Sequence, residues 1–215
     1  MKRGLTILAL TLGAASPAAA QLAGMPVWNN PKGGTGITIS GDYGKPDNSS
    51  RGGNAFGARG SLGFGNLMVT AGIASWKPSG ASSSATSIGG DLAFRAIGGS
   101  LIPLSINLQG GAAKTTGTGF ADLTTVTGAI GLSINVPTPG VSIEPYVSPG
   151  IRYSKASGSS GNSNFGFAIG ANVGLGMLGF HLAYDYTKLS SSQGGGHAST
   201  IGLGAHVALK APMGM

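Results

Sequence analysis

Apolar and polar residues alternate one for one through most of the chain, most clearly between 165 and 186 (FGFAIGANVGLGMLGFHLAYDY). Phe165, Phe167, Ile169, Ala171, Val173 and Leu175 are apolar, and the residues between them are small or polar. After Gly176-Met177 the phase restarts, with Leu178, Phe180, Leu182, Tyr184 and Tyr186 set against His181, Ala183, Asp185 and Thr187. Period two means a strand with one apolar face. Two such runs joined by a Gly-X pair predict a tight hairpin with a primed turn, in which 175 faces 178, 173 faces 180 and 169 faces 184. The shared apolar face carries no charge and is aromatic at its ends. A soluble sheet would cover such a face with a helix or a second sheet. The mature chain shows no helical period, so the face is read as lipid-facing.

The same pattern predicts strands at about 35–44, 54–64, 67–76, 88–96, 101–112, 124–135, 141–154 and 200–210, which with the hairpin gives ten. Pro103, Pro145 and Pro149 fall inside predicted strands and mark irregularities, because proline cannot donate to a ladder. Short turns at Gly65-Asn66, 98–100, 137–140 and Gly176-Met177 alternate with polar, largely Ser- and Gly-rich connections at 45–53, 77–87, 114–122, 155–164 and 189–199. An even strand count with short turns on one side and longer loops on the other is the pattern of outer-membrane barrels, with the short side periplasmic. The predicted fold is all-β, an up-and-down antiparallel transmembrane β-barrel of ten strands. Merging two weak strands would give eight.

Composition changes this picture little. Glycine accounts for 41 of 215 residues and charged residues for 9%, but a disordered chain would not keep regular alternation of Ile, Leu, Val and Phe. Residues 1–20 carry the marks of a secretory signal: Lys2 and Arg3, an apolar stretch from Leu5 to Ala15, and Ala18-Ala19-Ala20 before Gln21. Its removal lowers the formal charge from +7 to +5 by the loss of Lys2 and Arg3. No cysteine is present, so no disulfide framework is expected. Residues 21–34 lack a period and hold two prolines. They are expected to form a periplasmic lead-in that could fold into the barrel mouth, with the barrel domain at 35–215.

Charge placement supports the same reading. Asp42, Asp91, Glu144 and Asp185 all fall on the inward phase, as do Arg59, Arg95, Arg152, His181 and His206. A charge on the lipid face near the midplane would cost about 2–4 kcal/mol. These nine residues are the candidate lumen network. Tyr43, Phe56, Tyr153, Phe165, Phe167 and Tyr186 fall outward near the loop ends, and Phe64, Phe94 and Phe180 outward near the turn ends, as two aromatic girdles would. Signal, alternating strands, tight turns, polar loops and aromatic rims together resemble the small outer-membrane barrels of the OmpA-like or opacity type. The resemblance is architectural and spans the mature chain. It implies outer-membrane localisation after export, contact with outer-membrane lipids, and handling by the barrel-assembly machinery. Such barrels commonly end on an aromatic residue; this chain ends ALKAPMGM, with Leu209 the nearest substitute.

Catalytic and ligand chemistry is sparse. A symmetric loop centred at 193–194 would pair His181 with His206, and Asp185 shares their face. Two imidazoles and a carboxylate could hold a transition metal, set against a role as polar filler, and no metal or cofactor is assigned. His197, Asp47 and Asp122 lie in loops, widely separated, so no catalytic grouping and no enzyme activity is expected. With no basic cluster, nucleic-acid binding is not expected. The inward ion pairs point to a closed barrel with a structural or surface-interaction role. The alternative is a narrow porin-like pore, motivated by the small inward residues Gly166, Ala168, Gly170, Gly174, Gly202 and Gly204.

Overall fold

Antiparallel ladders link neighbouring strands all the way round, and the first and last strands pair with each other. The computed structural model describes residues 22–27, 34–98 and 102–209. Its strands are β1 (Gly36–Pro46), β2 (Asn54–Phe64), β3 (Leu67–Lys77), β4 (Ala85–Ile97), β5 (Leu104–Thr116), β6 (Leu123–Ile134), β7 (Val136–Thr138), β8 (Val141–Ala156), β9 (Asn162–Leu175), β10 (Leu178–Lys188) and β11 (His197–Leu209). β1 pairs with β2 and β11, β2 to β5 each with the next strand, β6 with β8, and β7 to β10 each with the next. The result is a closed barrel with no free edge, so the ladder hydrogen bonds are made within the sheet, as a bilayer core requires.

β6 and the short β7 both pair with β8 in one register, Ser133 opposite Tyr146 and Val136 opposite Ile143. They form one stave, which makes the barrel ten-stranded and excludes the eight-strand count. The stave breaks opposite Pro145, which has no N–H to give. The same ladder also lapses opposite Pro149, and there the Gly131 N–H turns to Asn107 Oδ1 at 3.1 Å. Pro103 is a correction: β5 starts at Leu104, so this proline precedes the strand, and its carbonyl accepts from Asn135 N. The other irregularity is a register shift at Arg95–Ile97 in β4.

The Gly65-Asn66 and Gly176-Met177 hairpins have the expected register, with Phe64 opposite Leu67 and Leu175 opposite Leu178. Gly65 (φ 61°) and Gly176 (φ 66°) take the left-handed conformation that primed turns need. Several strands run further toward the loops than the alternation indicated. β4 starts at Ala85 and β11 at His197, because Ser and Thr continue the ladder after apolar periodicity ends.

The outer face is apolar and uncovered: Ile39, Phe56, Ile88, Leu92, Leu108 and Leu203 are each more than half exposed. A continuous apolar surface of this kind has no place in water and matches a hydrocarbon layer. The interior is small or polar. Ala55, Ala168, Ala183, Ser87, Ser148 and Thr187 are buried there. The signal segment 1–20, residues 28–33 of the lead-in, the 99–101 turn and the terminal residues 210–215 lie outside the described residues.

Candidate functional site in the barrel lumen

The lumen next to the long loops is filled by the chain's own lead-in. Residues 22–27 make a turn, with Met25 N bonded to Leu22 O at 3.0 Å and Gly24 at φ 74°. Leu22 and Met25 pack with Ala55, Ala74, Trp76, Ala85 and Ala113 into a buried apolar cluster, against which Ala23 and Phe120 rest. Of the expected lead-in, these residues sit inside the barrel, toward its long-loop end. The wall makes room with glycines. A Cβ on Gly44 would overlap Gly24 O, one on Gly57 would lie 3.0 Å from Met25 Cε, and one on Gly202 would lie 2.7 Å from Pro26 Cδ. Val27 N donates to Asp185 Oδ2 at 3.1 Å.

Asp185 is fully buried and paired with Arg152, which is 3% exposed. Arg152 Nη1 also donates to Thr187 Oγ1 at 3.1 Å. Arg152 is on β8 and Asp185 on β10, so their bond crosses β9. It does so at Gly166, where a Cβ would lie 2.7 Å from Arg152 Nε. Tyr146 crosses β9 in the same way over Gly170.

Nearer the short turns a second network uses the same device. Arg59 Nε bonds Asp42 Oδ2 at 2.5 Å, and Arg59 Nη2 bonds Asp42 Oδ1 at 3.1 Å. His181 Nε2 lies 2.7 Å from Asp42 Oδ1. Asp42 is on β1 and His181 on β10, with β11 between them, and both reach over Gly204. A Cβ there would overlap His181 Nε2 and Asp42 Oδ1. The Asp42 carboxylate only accepts, so His181 donates from Nε2, and its Nδ1 lies 3.2 Å from His206 Nδ1. The His pair is diagonal, not direct: His181 pairs with Gly204 and His206 with Gly179, because the ladder ends at Lys188–His197 and so centres the loop between 192 and 193. Asp185, the carboxylate expected beside the two histidines, is committed to Arg152. Among the described residues no group of three or more His, Asp or Glu is arranged to hold a metal.

The remaining network members are dispersed. Glu144 Oε1 accepts from Ser133 Oγ at 2.7 Å. Asp91 sits opposite Thr70, and its Oδ1 is buried with no hydrogen-bond partner among the described residues. Arg95 lies at the short-turn rim, where it grips the neighbouring turn through Asn66 Oδ1 at 2.7 Å and Gly65 O at 3.4 Å. Below the lead-in is a cavity of about 330 Å³, lined by Ser40, Arg59, Asp91, Glu144, His181 and His206 among others. The small inward residues therefore do not simply leave space. Gly202 seats Pro26, while Gly166, Gly170 and Gly204 are saddles for longer side chains.

All nine aromatic candidates are on the outer phase. Tyr43 packs on Phe56 with ring centroids 5.3 Å apart, and Phe167 stacks on Tyr186 at 5.2 Å, both near the long loops. Phe64, Phe94 and Phe180 are exposed near the short turns, as Tyr153 and Phe165 are at the opposite rim.

Above the barrel, Asp47 and His197 meet at 4.0 Å, a correction to their expected separation. Ser50 N and Ser199 Oγ donate to Asp47 at 2.7 and 2.6 Å. Burial alone would raise the Asp47 carboxyl, but hydrogen bonds from Ser199, Ser50 and Ser49 outweigh it and hold the group down at about 2. Here the carboxylate lies between hydroxyl and imidazole, whereas a nucleophile relay needs the imidazole in the middle. Asp122 pairs with Lys114 at 3.2 Å.

No protein-family model and no curated protein sequence matches the chain. Solved structures similar to it are bacterial outer-membrane barrels. A bacterial polysaccharide outer membrane secretin matches with TM-score 0.50 at 11% identity, over 74% of this chain and 57% of that one. The chain thus spans little more than half of that protein's length. The β domain of the Bordetella autotransporter BrkA matches with TM-score 0.48 at 11% identity, over 83% of this chain and 100% of that one. Neisserial surface protein A matches with TM-score 0.41 at 11% identity, over 81% and 98%. The class is that of bacterial outer-membrane β-barrels. At these identities the likeness concerns the fold alone.

Proposed function

We propose that the protein is a closed outer-membrane barrel with a structural or surface-interaction role, exported by its leader and non-catalytic. The observation that carries this reading is the filled lumen: residues 22–27 lie across it, with Met25 1% exposed and Val27 bonded to Asp185. The Arg152–Asp185 and Asp42–Arg59 pairs fill the wall around and below it. A passive pore needs a through-path, and this arrangement supports a barrel without one. What the protein offers its surroundings is then its outer face, to lipid, and its loops. The test is planar-bilayer recording on the purified protein, with insertion verified by a heat-dependent gel shift. Inserted barrels without discrete current steps are the expected result. Reproducible steps from the unmodified protein would overturn the reading.

A further inference from the structure

Every lysine among the described residues follows one rule of placement. Lys45, Lys77, Lys114, Lys155 and Lys188 stand on β1, β3, β5, β8 and β10, the strands that run from the short turns toward the long loops. Each is exposed, on the outward phase, and within two residues of the loop end of its strand. Among the described residues the opposite rim has no lysine on that face; its outward positions are apolar, as at Phe64, Leu67, Leu175 and Leu178. The register sets the lysines in rows. Asn54 on β2 pairs with Lys77, and its Oδ1 accepts from Lys45 Nζ at 3.5 Å. Thr124 on β6 pairs with both Lys114 and Lys155. Two lysines with one strand between them are about 10 Å apart, twice the strand spacing. Tyr43, Tyr153 and Tyr186 lie two positions below Lys45, Lys155 and Lys188 on the same face. The acids leave the ring uncompensated. Asp122 pairs with Lys114, and Asp47 is taken up by Ser50 and Ser199, so the other four lysines have no acidic partner among the described residues.

We propose that this lysine ring binds the phosphate groups of lipids in the leaflet at the loop end. Such binding needs the outer face to meet lipid, as proposed above, and is indifferent to whether the lumen is closed. A lysine at this depth lays its stem along the apolar rim and lifts its ammonium into the headgroup layer. Snorkelling for its own sake would serve both rims, since both are interfaces, yet the described lysines keep to one. The division between the two cations fits the same end. Arg59 and Arg152 are turned inward and paired in fixed geometry, whereas the outer face uses lysine, a compact charge on a flexible stem that suits a mobile phosphate. The ammoniums stand on the wall and not on the loops. Beyond the strand ends the described loops add only Arg51 to the cations, so the charge is set at the level of the headgroups and not out where a soluble partner would meet it.

The test is electron spin resonance on the full chain refolded into phosphatidylcholine vesicles that hold a trace of spin-labelled phosphatidic acid or spin-labelled phosphatidylcholine. The heat-dependent gel shift verifies insertion, and the fraction of label immobilised at the barrel surface gives the relative affinity for the two headgroups. In low salt the wild type is expected to prefer phosphatidic acid about fivefold, the equivalent of ~1 kcal/mol for one lysine on one headgroup. Most of that preference is expected to vanish in 1 M NaCl, where the screening length falls to about 3 Å. The combined variant Lys45→Gln, Lys77→Gln, Lys114→Gln, Lys155→Gln and Lys188→Gln should show no preference. The double variant Lys45→Gln, Lys77→Gln should lose about two-fifths of the phosphatidic acid bound, in proportion to the charge removed. An inserted wild type without preference overturns the proposal, and retention of the same protein in detergent on a heparin column would then assign the ring to a soluble polyanion. A preference kept in full by the inserted combined variant overturns it as well. If that variant does not insert, an unchanged preference in the double variant does so equally. A wild type that inserts into no vesicle would sink the lipid-facing reading instead.

Discussion

Gly204 is where the lumen network is most exposed to a single methyl group. On β11 it separates Asp42 from His181, whose hydrogen bond passes through the volume a side chain would take. In Gly204→Ala the new Cβ would meet three groups at once: the His181 ring nitrogen, the Asp42 carboxylate, and the Gly41 backbone carbonyl at 2.8 Å. The carbonyl belongs to a ladder and cannot yield, so the side chains must move apart. The bond from an imidazole to a carboxylate is of the charge-assisted kind, worth about 1.5–3 kcal/mol. Forcing an extra carbon into a packed site adds about 1–3 kcal/mol. The expected loss is therefore about 2.5–6 kcal/mol. The matched control is Gly41→Ala, on the neighbouring strand, where a Cβ meets nothing within 4 Å and only a change within about 0.5 kcal/mol is expected. Urea titration of both variants refolded into lipid vesicles, followed by the heat-dependent gel shift, gives the two midpoints under one protocol. Equal midpoints for Gly204→Ala and Gly41→Ala would refute the reasoning, because inward glycines would then be mere filler and not saddles.

Two further expectations test the same construction elsewhere. Asp185→Leu or Arg152→Met alone leaves a buried charge without its partner and is expected to cost about 3–5 kcal/mol in urea titration. The double variant is expected to fall well short of the sum, retaining about 1–3 kcal/mol for the Val27 N–H left without its acceptor; strict additivity would show that the pair is not coupled. At the loop rim, Asp47 titrates at about 2 when folded and at about 3.9 in a model peptide. A depressed carboxyl stabilises the loop fully above its unfolded value and loses that contribution as pH falls through its folded value. Amide exchange at Ser50, whose N–H donates to Asp47, is accordingly expected to quicken between about pH 4 and pH 2, and the Asp47→Asn variant should lack that transition. A wild-type profile matching the variant's would count against the assignment.

Much of the barrel was legible because its strands carry a period-two signal and its tight turns carry glycine at the first central position. Where two residues join strands, as at Gly65-Asn66 and Gly176-Met177, the register follows from the turn alone. Where a longer loop intervenes it does not. The β10–β11 connection contains a 3₁₀ turn at Ser191–Gln193 closed by Gly194 at φ 90°, and the register across it sets His206 one inward step from the partner of His181. The Asp42–His181 and Arg152–Asp185 contacts were illegible for a further reason. Each joins residues two strands apart, and the sequence offers no local sign that an intervening glycine is a bridge. Residues 22–27 have no period, so the alternation that places the strands does not place them. Their place is set by shape: a Leu-x-x-Met turn fits a groove whose glycines come from β1, β2 and β11.

These observations bear on why the inward positions are so small. Eight strands make a barrel whose interior side chains just fill. Ten strands enclose a wider lumen, and larger inward residues would be the direct way to fill it. This chain places Gly, Ala, Ser and Thr there and fills the space with other material: a turn of its own N-terminal segment toward the loops, and arginine, histidine and tyrosine side chains laid across glycine strands elsewhere. The two solutions differ in consequence. Side chains projecting from a wall cannot leave it, so a lumen filled in that way is closed as long as the barrel is folded. A lumen filled by a separate segment is closed only as long as that segment stays, and the free energy holding it is that of Leu22, Met25 and one hydrogen bond, about 4–9 kcal/mol by their burial and bonding before the cost of ordering the segment is subtracted. The wall and its occupant therefore differ in stability within a single chain, and the small inward residues are the structural reason.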